Sequence, residues 1–176
     1  MADVEYIFGA PIALNQMLPP TVGDVALVPS AIPATPGLYV IFNGNTNNRY
    51  LGVSENINHR FAGRQEVCFD LGLSQANLNN IVVFCGAMSY RNTGVIAWTQ
   101  APGYAADQLN VVIDGSDYDL EHMLIKAAQH AWPDDTVSNT LKVSPLHVTN
   151  QLSIRIAWNG GVKSQQVNIP GGGQLA

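Results

Sequence analysis

The segment GLYVIFNGNTNNRYLGVSENINHR, Gly37 to Arg60, carries the side chains of this chain best suited to chemistry. Tyr39 and Tyr50 each stand beside a glycine on a short apolar run, and Arg60 is followed one helical turn later by Arg64. A guanidinium is a planar fork of donors that matches phosphate oxygens. A phenol, with an unperturbed pKa near 10, is a poor base in water, and a nearby cation brings its phenolate within reach. Together these groups point to phosphate chemistry. Taken singly they are ordinary: Tyr39 and Tyr50 read as half-buried strand aromatics and Arg60 as a surface charge on a helix.

Composition bounds what such a site can serve. The chain has 176 residues, enough for one domain with a hydrophobic core, and 47% of them are apolar. Only 12% are charged and the formal net charge is −5. That balance argues against a protein that lives on nucleic acid, because phosphate contacts need Lys and Arg. The distribution softens the point. Arg49, Arg60, Arg64 and Arg91 cluster around the quoted segment, so a local positive face can survive in an acidic whole. Cys68 and Cys85 form no C-x-x-C and read as buried free thiols. Neither a secretory leader nor a membrane-length apolar run is present, so a soluble, cytoplasmic protein with no membrane partner is expected.

The elements that must position these residues follow from the pattern. Prolines break up the first residues, which read as an irregular N-terminal arm over 1–35, with one short strand at Asp24 to Val28. Gly37 to Phe42 and Arg49 to Val53 read as a hairpin across the NGNTNN turn. Ser54 reads as the N-cap of a helix that buries Ile57 and Phe61 and presents Arg60 and Arg64 on an adjacent face. Asn80 to Ala87, Gly94 to Thr99 and Leu109 to Ile113 read as strands. A clear helix then spans DLEHMLIKAAQHAW, with Ser116 and Asp119 as a capping box. Its apolar stripe is Leu120, Leu124, Ala127, Ala128 and Ala131, and Pro133 ends it. The tail alternates Leu152, Ile154 and Ile156 before Asn159-Gly160, a hairpin signal, and closes on PGGGQLA, read as a frayed end.

The strand-turn-strand-helix order, with GLY at Gly37 to Tyr39, YLG at Tyr50 to Gly52 and Ser54, Asn56, Ile57 and Arg60 at fixed offsets, resembles the GIY-YIG nuclease signature. LEHMLIKAA around Glu121 resembles the family's later glutamate helix, and Asn139 matches its final asparagine. The resemblance implies an α/β (α+β) fold, a small antiparallel or mixed sheet flanked by helices. This nuclease-like domain would span 36–142 with an insertion around 68–108, between the N-terminal arm and a C-terminal β-hairpin extension at 143–176.

The roles it implies are these. Tyr39 acts as general base on the attacking water or orients it. Tyr50 assists at the same phosphate, Arg60 stabilises the developing charge, Glu121 ligates Mg²⁺ or Mn²⁺, and Asn139 organises the site. Arg64, Ser54 and Arg49 are expected to contact the substrate. Many members of the family carry His or Lys where Arg64 stands, and an arginine cannot shuttle a proton. His59 and His122 read as surface side chains. The expected function is a metal-dependent endonuclease acting on DNA, in a restriction, repair, mobile-element or toxin setting. The alternative is a retired nuclease-like fold used for binding or structure, and a third reading is a homo-oligomer that pools basic patches.

Overall fold

The computed structural model describes residues 1–13, 32–62, 80–101, 103–104, 108–139, 144–158 and 163–176. Residues Ala2 to Phe8 contain no proline and form β1 (Ala2–Phe8), buried along most of its length. The strand β2 (Ile12–Ala13) comes next. The predicted hairpin is β3 (Gly37–Asn43) and β4 (Asn48–Ser54), with Asn47 in the turn at a φ of 51°. After it come α1 (Ile57–Ala62), the long β5 (Ile81–Arg91), and the short β6 (Thr99–Gln100). A small hairpin, β7 (Asn110–Ile113) and β8 (Ser116–Asp119), leads directly into α2 (Leu120–Ala131). The chain closes with β9 (Thr136–Val137), β10 (Leu146–His147), β11 (Leu152–Trp158), β12 (Lys163–Ile169) and β13 (Gln174–Leu175).

One nine-stranded sheet dominates, in the order β12-β11-β1-β5-β3-β4-β9, with β2 and β6 also pairing with β5. It curls into a half-barrel. The expected α/β class, a small sheet flanked by helices with an N-terminal arm and a C-terminal hairpin, is therefore corrected. Strands account for 50% of the described structure and helix for 13%. The reason lies at both termini. β1 pairs in parallel with β11, from Ala2 opposite Leu152 to Ile7 opposite Ala157, and antiparallel with β5. The first residues thus lie inside the sheet, and the tail hairpin forms one side of it. The chain end is likewise tied down, because β13 pairs with β10 and Leu175 is buried.

α2 fills one face of the sheet. Leu120, Met123, Leu124, Ile125, Ala127 and Ala128 are all buried in the main core. Burying a side chain of Leu size stabilises by roughly 1.5–3 kcal/mol, so this stripe fixes the helix firmly. Its cap is Asp119, whose side chain accepts the His122 N–H at 2.7 Å. Ser116 lies on β8 instead of forming the expected capping box. Tyr6 locks the helix start from below, donating its hydroxyl hydrogen to the Leu120 carbonyl at 3.1 Å. The predicted strand at Asp24 to Val28 and the Asn159-Gly160 turn lie outside the described residues, and the Gly94 to Thr99 strand is reduced to Thr99–Gln100. No helix among the described residues is long and apolar enough to cross a membrane.

Candidate functional site

The register of the β3–β4 hairpin sets the site. Gly37 stands opposite Ser54, Tyr39 opposite Gly52, and Ile41 opposite Tyr50. Side chains alternate along strands, so Tyr39, Tyr50 and Ser54 share one face while Leu38, Val40, Leu51 and Val53 share the other. The second face carries the core that α2 fills. The first face carries α1: a Cβ on Gly37 would meet Ile57 Cδ1 at 3.0 Å and the Gly86 carbonyl oxygen at 2.7 Å. Only glycine at 37 lets α1 sit this close. Gly52 has the same kind of reason, since a Cβ there would overlap the Tyr39 ring at 2.4 Å and its hydroxyl oxygen at 2.5 Å. The phenol therefore lies flat across Gly52. β9 pairs only with Asn48 and Arg49, so the ring leans toward a stretch of β4 that it leaves uncovered.

Beside that stretch lies a cleft of about 390 Å³ whose walls include Ser54, Glu55, His59, Arg60, Tyr104 and Glu121. It gathers residues from α1 and from the first turn of α2, two helices on opposite faces of the sheet. Arg60 is exposed and hydrogen-bonds the Tyr39 phenol, and the Glu121 carboxylate lies close enough to act on the same phenol. Tyr50 packs against Tyr39 with ring centroids 6.3 Å apart and planes 25° from parallel. Burial, with Tyr50 adding to it, pushes the Tyr39 phenol up to about 12 against the pull of Arg60. At neutral pH only roughly one Tyr39 in 10⁵ is then a phenolate. Tyr39 is therefore a protonated phenol, held by the Arg60 cation behind the cleft wall.

The other expected site residues fall in three places. Ser54 lines the cleft, but its hydroxyl donates to the Asn56 carbonyl at 2.9 Å and accepts the Asn56 N–H at 3.1 Å. Asn56, not Ser54, caps α1, taking the His59 N–H at 3.0 Å. Asn139 lies beside β4, where it clamps both backbone polar groups of one residue. Its Oδ1 accepts the Leu51 N–H at 3.0 Å and its Nδ2 donates to the Leu51 carbonyl at 2.7 Å. Arg49 points to the face opposite the tyrosines. Its Nε meets Asp135 Oδ2 at 2.5 Å, and its guanidinium lies 4.3 Å from the centroid of Phe42 and 4.6 Å from that of Trp132. Arg64 lies outside the described residues.

A divalent cation fits this donor set in one way. Among the described residues, no three His, Cys, Asp or Glu side chains gather to hold a metal. A dedicated cage is therefore absent from that part of the chain. Mg²⁺ commonly binds through one or two carboxylates plus substrate phosphate and keeps several waters. Glu121, with Glu55 on the same cleft, can serve that mode.

Sequence reasoning missed three cleft residues. Glu55 and His59 sit within the motif itself, and their place on the wall follows from the short α1 lying at the cleft rim. Tyr104, between the segments read as strands, accepts the Met88 N–H at 2.9 Å and is almost fully buried. A lone aromatic in a run of Gly and Ala was the available signal.

Two further arginines at the surface are paired with carboxylates. Arg91 pairs with Asp3 at 2.7 Å and Arg155 pairs with Glu5. Compared with known protein families, characterised proteins and solved structures, the chain matches none.

Proposed function

We propose that the cleft hydrolyses phosphodiester bonds of DNA. The observation that carries this reading is the meeting of Arg60 and Glu121 on the walls of one cleft, with Arg60 hydrogen-bonded to the buried Tyr39 phenol behind it. Arg60 presents its guanidinium to the phosphate and stabilises the charge that builds on its oxygens. Tyr39, kept protonated, orients the attacking water or a phosphate oxygen. Tyr50 packs behind Tyr39, and Asn139 holds the Leu51 peptide, so the two tyrosines keep their positions. Glu121 is the residue that would hold Mg²⁺ or Mn²⁺, and the ion would supply polarisation of a phosphoryl oxygen.

Purified protein is expected to nick supercoiled plasmid with Mg²⁺ or Mn²⁺. Arg60→Ala and Glu121→Gln should each lower the rate by about 100-fold or more. Full activity in both variants would remove the proposal.

A second reading has its own support. Arg49, Arg91 and Arg155 are all engaged in ion pairs, which leaves little basic surface among the described residues to follow a duplex. In that reading the chain is a binding or structural protein, or it self-associates to combine its basic patches. DNA affinity with a steep salt dependence supports the nuclease. A salt-indifferent protein that recovers a stable partner from cells supports the alternative. A strict monomer by solution mass measurement removes the pooled-patch version.

A further inference from the structure

Departure of the leaving oxygen needs a proton, and the groups already given roles are poor sources. Arg60 does not release one at ordinary pH. The Tyr39 phenol is buried, while Glu121 is given to the cation. His59 stands on the wall of the same cleft, exposed at its rim. The groups that face this cleft with it are Glu55 and Arg60 from its own segment, Glu121 from α2, and Tyr104 from the segment beyond β6. Tyr39 and Tyr50 lie behind Arg60 on β3 and β4. Of these, the imidazole is the type of side chain that exchanges protons near neutrality.

Direction follows from depth. Phosphoryl displacement runs with the attacking and leaving oxygens roughly in line across phosphorus. Tyr39 orients the water from the buried side, so the leaving oxygen points to the open rim, where His59 is. We propose that His59 is the general acid of this site, giving its proton to the leaving oxygen of the phosphodiester. This assignment rests on the hydrolase reading of the cleft. In the step, the water oxygen forms a bond to phosphorus and the bond from phosphorus to the leaving oxygen breaks. The imidazolium proton passes to that oxygen, the surplus proton of the water passes to solvent, and solvent reprotonates the imidazole.

The test compares His59→Gln with the wild type on two substrates in the same buffer. One is supercoiled plasmid, whose alkoxide leaving group needs a proton. The other is bis(p-nitrophenyl) phosphate, whose leaving group departs without one. His59→Gln should lose about 100-fold on plasmid and less than about fivefold on the nitrophenyl ester. A general acid must be protonated, so the wild-type rate on plasmid falls on the alkaline side, and His59→Gln should lack that limb. Equal losses on both substrates with an unchanged pH profile, or no loss on plasmid, would overturn the assignment and leave the hydrolase reading standing. A wild type inactive on both substrates would overturn the hydrolase reading itself and His59 with it. His59 is exposed, so the substitution leaves the core in place, and a thermal melt of the variant checks this.

Discussion

Arg49 and Arg60 belong to the same strand-helix unit and have opposite surroundings. The Arg49 side chain is only 12% exposed, its guanidinium enclosed by Phe42, Trp132 and Trp158 and closed off by Asp135. Arg60 is exposed and hydrogen-bonds the Tyr39 phenol on a cleft it shares with Glu121. The first has its donors taken by an internal anion and its faces covered by rings. The second keeps charge available at an open cleft. A count of basic residues therefore overstates what this molecule can offer a phosphate. What decides is whether a carboxylate from the same chain arrives first.

That contrast breaks most readily at Arg49. Arg49→Ala leaves Asp135 in its mostly buried place without a partner and opens a gap among three rings. It should lower unfolding free energy by about 4 kcal/mol in urea titration. If it costs less than about 1 kcal/mol, as exposed ion pairs do, the enclosed reading of Arg49 fails.

The next effect separates the phenol from the carboxylate as a partner. The folded-state value of Tyr39 is raised from 10 to about 12, so folding favours its protonated form. The stability this contributes is complete below pH 10 and is lost as pH rises toward 12. Tyr6, buried and raised well above its ordinary value, adds to the same loss. Unfolding curves between pH 9 and 12 should show stability falling through that window, by roughly 2 kcal/mol less in Tyr39→Phe than in the wild type.

Asn139→Ala removes both bonds to Leu51 and should destabilise by about 2 kcal/mol while slowing any cleavage. A loss of cleavage with no change in stability would make Asn139 a substrate contact. The smallest expected change is in the stability of Arg60→Ala, within about 1 kcal/mol of wild type, against the large loss of activity expected for it. A large drop in melting temperature would instead place Arg60 with Arg49, as a structural cation.

The hairpin and the second helix were legible because their signals are local. Gly37 to Phe42 is a continuous apolar run, the Asn-rich turn tolerates the positive φ found at Asn47, and Leu120 to Ala128 repeats at helical spacing. β1 was not. The prolines at 11, 19 and 20 all lie beyond its last residue, and extending their irregularity backward hid the strand over Ala2 to Phe8. The sheet was illegible for a further reason: its defining contact joins β1 to β11, and nothing short-range in either strand announces a parallel partner. In the site, Gly37 and Gly52 could be located but not explained, because their reasons are Ile57 and the Tyr39 ring crossing from other elements. His59 read as a surface side chain, which it is, yet it also stands on the cleft wall. The cleft runs along the rim of a helix short enough for neighbouring positions to share it.

The place of β1 also orders events during synthesis. It is synthesised well before one of its two neighbours, β11, which follows it by about 140 residues of chain. A nascent chain that has already released α2 still holds a strand with one open side, bearing unpaired backbone donors and acceptors. Long-range pairing of this kind slows folding and lengthens exposure to other chains. Until β11 emerges, the growing polypeptide presents this edge unpaired, a template that factors binding nascent chains can shield.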